Sequence, residues 1–150
     1  MGSPGPHVRA AEPADYDAMA DVFLRAARAA WSFTGEAALD AMRAPAFTGG
    51  ELVAEDADGV VGFVIARNCE IELLYTHPRV WGRGVGRDLL AAGEAQLREG
   101  GCDEASLWTE ERNERPRRFY EAAGWRPDGE VKERMWNGAP LRELRYRKTL

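Results

Sequence analysis

Lysine is nearly missing from this chain: of its 20 basic residues only Lys132 and Lys148 are lysine, and the other 18 are arginine. No lysine precedes residue 132, so the Gly-Lys-Ser/Thr loop of nucleoside-triphosphate binders is excluded. The arginine bias is what a G+C-rich genome would produce and is given no functional weight. Histidine and cysteine are as scarce. His7 and His77 lie far apart, and Cys69 and Cys102 have neither CxxC spacing nor ligand partners nearby, which argues against a zinc site. Two buried or idle thiols are expected. Long apolar runs are lacking too: nothing approaches the roughly 18 residues of a membrane span, and MGSPGPHVRA has no apolar middle region of a secretory signal. A soluble, cytoplasmic protein without a membrane partner is expected. There is also no basic surplus. A formal net charge of -5 argues against a nucleic-acid partner, because such binders rely on a basic face, so any basic function must be local.

What is present suits one core. The chain has 150 residues, 45% of them hydrophobic, enough to bury about 70% of the unfolded surface in a single domain spanning 1–150, with residues 1–6 read as flexible. HVRAAEPAD reads as a strand and turn, after which Asp15 is placed to cap a helix over about 15–31. Met19, Val22, Phe23, Ala26, Ala30 and Trp31 recur along it at three- and four-residue steps. A weaker helical pattern covers Glu36 to Arg43 and is closed by Pro45, Gly49 and Gly50. Asp58-Gly59 between two β-rich runs predicts a hairpin, EIELLYT a third strand, and Val85, Leu89, Leu90, Gly93 and Leu97 one face of a helix ending at Gly100-Gly101. EASLWT is a strand, RPRRFYEAAGW a short helix stopped by Gly124, and Asn137-Gly138 a final hairpin turn. The order β-α-α-β-β-β-α-β-α-β-β indicates an α/β domain with a mixed sheet.

Between the third strand and its helix stands THPRVWGRGVGRDLL. A strand, a glycine-rich turn and a helix start present unpaired N–H groups at the positive end of a helix dipole, which is an anion site. Gly82, Gly84 and Gly86 let phosphate oxygens approach the backbone, and Arg83 and Arg87 can add charge; a plain turn before a solvated helix is the alternative. A dinucleotide fingerprint does not fit, because its third glycine slot holds Arg87 counted from Gly82 and Leu89 counted from Gly84.

WGRGVG resembles the Q/R-x-x-G-x-G/A coenzyme A loop of the GCN5-related N-acetyltransferases, with Gly84 and Gly86 in the glycine slots and Trp81 where that family carries Gln or Arg. NERPRRFYEAAGW is similar to the family's second motif through Asn113, Phe119, Tyr120, Gly124 and Trp125, with Pro116 replacing an alanine. The resemblance implies a bulged central strand and acetyl-CoA as co-substrate, with no metal. It implies that backbone groups of Leu74, Tyr75 and Thr76 meet the pantetheine arm and thioester, and that Gly82 through Arg87, including Val85, hold the pyrophosphate. Tyr120 is implied as the acid that protonates the leaving thiolate; a core tyrosine is the alternative. Asn113 either caps its helix or bonds the coenzyme. Arg117 and Arg118 either meet phosphates or face water. Glu70 and Glu72 share one side of the third strand and are the candidate bases, with ordered water or a merely solvated strand face as alternatives. The implied activity is acetyl transfer to a primary amine of a small molecule or peptide, entering between Trp31–Arg43 and Trp136–Leu141. Aromatic residues there, Trp31, Phe33 and Trp136, either line a pocket or fill the core. The alternative is a non-catalytic acyl-CoA-binding regulatory module. Homodimerisation is left open.

Overall fold

The computed structural model describes residues 5–150; of the segment expected to be flexible, residues 1–4 lie outside the described residues. Seven strands and four helices follow one another as β1 (His7–Ala10), α1 (Tyr16–Ala30), α2 (Glu36–Asp40), β2 (Leu52–Asp56), β3 (Gly59–Arg67), β4 (Glu70–Thr76), α3 (Val85–Glu99), β5 (Glu104–Glu110), α4 (Glu114–Ala122), β6 (Arg126–Trp136) and β7 (Ala139–Thr149). They build a mixed α/β domain around one sheet, ordered β1-β2-β3-β4-β5-β7-β6. Every neighbouring pair is antiparallel except β4 with β5.

The sheet is covered on both faces, which is why β3 reads as an unbroken apolar run. Met19 and Val22 of α1 pack on Val53, Phe63 and Ile65. Val85, Leu89, Leu90 and Leu97 of α3 share the opposite core with Val64, Ala66 and Ile71. Gly93 permits that approach: a Cβ there would stand 3.1 Å from Ile71 Cδ1 and 3.2 Å from Val64 Cγ2. Trp125 is fully buried and donates to Glu94, which also takes Lys148 Nζ at 2.6 Å. The conspicuous tryptophan of the second motif is therefore a structural residue.

Four local expectations change. Asp15 stands at the start of α1 without capping it, because its carboxylate accepts from Arg9 at 2.8 and 2.9 Å and from Glu12 N–H at 2.8 Å. A bidentate charged bond outcompetes an ordinary cap. The β2–β3 turn centres on Ala57-Asp58, and Gly59, at φ 114°, begins β3. The β3–β4 turn, which carried no glycine signal, uses Asn68 and Cys69 at φ 55° and 57°. Finally, the two cysteines are not idle thiols. Cys69 and Cys102 form a disulfide, because β4 and β5 run side by side and bring the turn before one against the loop before the other.

Candidate active site

The site begins with a defect in the sheet. β4 and β5 share one residue pair, Glu70 with Ser106, supported by the Ser106 N–H donating to the Cys69 carbonyl at 3.0 Å. Along β3 the register passes from Ile65 opposite Leu73 to Ala66 opposite Ile71, which leaves Glu72 as the extra residue of a bulge. A bulge bends its strand and ends regular pairing. From Leu73 to Thr76, β4 stays paired to β3 and has no strand partner on its other edge. The gap widens into a cleft of about 810 Å³, lined by Phe23, Ala26 and Trp31 from one face of the sheet and by Gly84, Val85 and Tyr120 from the other.

At one end of this cleft the glycine-rich turn enters α3. Gly82 and Gly84 adopt φ 81° and 83°, left-handed conformations that side chains disfavour. The first intrahelical bond runs from Asp88 N–H to the Gly84 carbonyl at 3.1 Å, so the amides of Val85, Gly86 and Arg87 have no intrahelical acceptor. Gly82, Gly84, Val85, Gly86 and Arg87 all line the cleft. Arg83 does not line it, and its charge helps, as the smallest of several causes, to lower the Asp56 carboxyl. Trp81 folds back so that its indole N–H donates to the Thr76 carbonyl at 3.0 Å, occupying one of that oxygen's two acceptor sites.

Tyr120 lines the cleft and is 8% exposed. Burial, helped by the neighbouring Tyr75, pushes its phenol well above the ordinary value. Tyr75, assigned from sequence for its backbone alone, also brings its side chain to the cleft, and burial pushes that phenol up to about 12. Glu70 and Glu72 both line the cleft. Glu72 is held by Arg67 at 3.3 Å, whereas the Glu70 carboxyl is raised by burial and by the charge of Glu72, partly offset by Lys132. Asn113 starts α4, makes no side-chain cap and lines the cleft, so its amide is free for a ligand.

Of the other arginines, Arg117 bonds the Tyr146 hydroxyl at 3.1 Å and the Glu111 carbonyl at 2.9 Å, and Arg118 pairs with Glu114 at 2.9 Å. Neither is among the residues lining the cleft. Arg115, not singled out in the sequence, lines it instead, with its guanidinium 4.0 Å from the Trp81 ring centroid. The signal was available: Arg115 precedes Phe119 by four residues and shares its helix face. Also missed was Glu143, 7% exposed on β7, which accepts from Arg134 and lines the cleft. At the opposite end Trp31 stands 5.1 Å from Trp136 and 6.0 Å from Phe33, and Asn137 Nδ2 donates to the Ala38 carbonyl at 3.3 Å. The first two helices and the last hairpin thus meet where an acceptor was expected to enter, but Phe33 stands behind Trp31 under Arg112 and does not line the cleft. Among the described residues no group of three metal-ligating side chains converges.

The chain is similar to several known proteins. Mycothiol acetyltransferase of Thermobispora bispora is 38% identical over 72 residues, which are 48% of this chain and only 22% of that protein. The GCN5-related N-acetyltransferase "Aminotransferase, Class-II" of Rhodopseudomonas palustris superposes with a TM-score of 0.78 at 21% identity, over 100% of this chain and 99% of that one. A structure of yncA from Salmonella typhimurium with its cofactor acetyl-CoA superposes with a TM-score of 0.69 at 20% identity, over 98% and 95% of the two chains. The Acetyltransferase (GNAT) family itself matches residues 16–125, from the first residue of α1 to the tryptophan that closes the second motif, and the chain belongs to that family.

Proposed function

We propose that the protein transfers the acetyl group of acetyl-CoA to a primary amine by direct attack within a ternary complex. The observation that carries this reading is the cleft through the β4–β5 gap, lined from both faces of the sheet and holding the buried phenol of Tyr120. A thioester entering past α3 and an amine entering past Trp31 and Trp136 would meet there. The amides of Gly82 and of Gly84 to Arg87 suit the pyrophosphate, and the unpaired edge of β4 at Leu74 suits the amide-bearing arm, the Tyr75 backbone being turned toward Phe63 of β3. Thr76 contributes its N–H, its carbonyl already accepting from Trp81. Asn113 adds a side-chain amide.

The chemistry then needs a base, a polarised carbonyl and an acid. Tyr120 is the acid. A phenol, ordinarily at about 10, is a weaker acid than a thiol at about 8.5, and burial keeps Tyr120 protonated, so it can donate to a departing thiolate in a step that runs uphill. Glu70 is the better base of the two strand glutamates, because Glu72 is paired with Arg67 whereas Glu70 is half-buried with a raised proton affinity. A module that only bound acyl-CoA would need neither group at the gap. The acceptor is a small-molecule or peptide amine, and the cytoplasm is the compartment we assign.

The test pairs binding with turnover. Acetyl-CoA should raise the melting temperature well beyond NAD or ATP. Tyr120→Phe should keep that binding and lower kcat by about 10²-fold, measured by thiol release with a responsive amine. An unchanged kcat with a chemistry-limited amine would return Tyr120 to a packing role and favour the binding module.

A further inference from the structure

The loop at 81–87 departs from its family at one place, where Trp81 occupies the slot that carries Gln or Arg. Tryptophan offers no cation and no acceptor, and its single N–H is already committed to Thr76 at 3.0 Å. By itself the substitution removes one side-chain contact from an anion site. The neighbouring helix supplies what is missing. Arg115, at the second position of α4, lies 4.0 Å over the Trp81 ring, and both residues line the cleft with Gly82, Gly84 and Arg87.

Three features make this a placed group. An indole is the best aromatic platform for a guanidinium, and stacking leaves the N–H edge of the fork free to point elsewhere. The platform is itself fixed, because the indole is tied to β4 by its own hydrogen bond. And Arg115 makes no ion pair among the described residues, while Arg112, Arg117 and Arg118 on either side are each engaged by protein oxygens. In a chain with more acidic than basic residues, an unneutralised arginine beside free helix amides is suited to an anion the protein lacks.

We infer that Arg115, held on Trp81, takes over the phosphate contact that residue 81 no longer makes, and that its ligand is the pyrophosphate of the coenzyme nucleotide. The inference rests on the acetyl-CoA reading above and assigns Arg115 as a binding residue for it. A bidentate guanidinium contact restores the charge, and Trp81 acts as a positioning residue.

Calorimetry on the intact protein tests this with three ligands: coenzyme A, dephospho-coenzyme A, which lacks the 3′-phosphate, and acetyl-pantetheine, which lacks the nucleotide. Arg115→Gln should weaken coenzyme A and dephospho-coenzyme A alike by about tenfold and leave acetyl-pantetheine unchanged. Adding Trp81→Arg to that variant, which restores the family residue, should recover most of the loss. Circular dichroism should be unaltered, since Arg115 is exposed. Equal affinity of parent and Arg115→Gln for coenzyme A overturns the inference. So does a loss confined to coenzyme A, which would place Arg115 at the 3′-phosphate, or an equal loss for acetyl-pantetheine, which would mark a general disturbance. If the parent binds none of the three, the acetyl-CoA reading itself falls, a result distinct from the others.

Discussion

Reducing the Cys69–Cys102 disulfide should cost this protein a large share of its stability, and the size follows from the chain. The bridge closes a loop with a sequence separation of 33 residues, running through β4, the glycine-rich turn and all of α3. Constraining a loop of that length in the unfolded state corresponds to about 3.7 kcal/mol at 25 °C by the chain-entropy relation. For a domain of this size each kcal/mol moves the melting temperature by about 2–4 °C, so reduction should lower it by about 7–15 °C. The assay is a thermal melt with and without dithiothreitol, repeated on Cys69→Ala with Cys102→Ala, which should melt like the reduced parent and ignore the reductant. Alkylation in denaturant counts the thiols. The untreated protein should take up no label and the reduced one two. Two labelled cysteines without reductant, or a shift under about 2 °C, would refute the reasoning. A reducing compartment would hold the protein in the less stable form, so the magnitude bears directly on the cytoplasmic assignment.

Two further outcomes follow. Gly62→Ala should destabilise by about 1–3 kcal/mol, seen as a lower melting temperature, because its Cβ would stand 2.8 Å from Leu89 Cδ1 and 3.1 Å from the Tyr75 carbonyl; an unchanged melt would show that the sheet gives way there. If Glu70 is the base, its carboxylate form is active, and because burial and Glu72 raise its proton affinity, kcat/KM should climb with pH through a midpoint above the ordinary 4.5. Glu70→Gln should abolish that limb and slow turnover by about 10²-fold or more, and survival of the limb would pass the role to another group.

The order of elements was legible because each is locally consistent. β4 matches EIELLYT residue for residue, and the α3 face read from the sequence is the buried one, with Val85, Leu89, Leu90, Gly93 and Leu97 all inside. The places of the glycine turn and of Tyr120 beside the cleft were legible for the same reason, since both belong to locally signalled elements. What escaped depends on partners distant in sequence. Asp15 reads as a cap until Arg9 competes for it, and Cys69 and Cys102 read as unrelated until the parallel crossover sets them side by side. Arg115, Arg117 and Arg118 look equivalent in a string. The phase of one short helix sends the first to Trp81 and the second to Tyr146. Glu143 gave no signal, because its burial depends on the cleft and on Arg134 across the final hairpin.

The single residue pair between β4 and β5 has a consequence for how the molecule comes apart. β1 to β4 form an antiparallel unit, with α1 and α2 between β1 and β2 and hairpins joining β2 to β4, and β5, β7 and β6 a second antiparallel unit, each with its own ladders. Where the two meet, backbone pairing is almost absent, and the disulfide with the helical cores above and below does the joining. Such a boundary divides a domain into cooperative units that can open separately. A ligand threaded through the boundary contacts both units at once, so its binding free energy becomes coupling between them. Amide exchange would slow in both units at once, on β7 and equally on β2, which lines no part of the cleft.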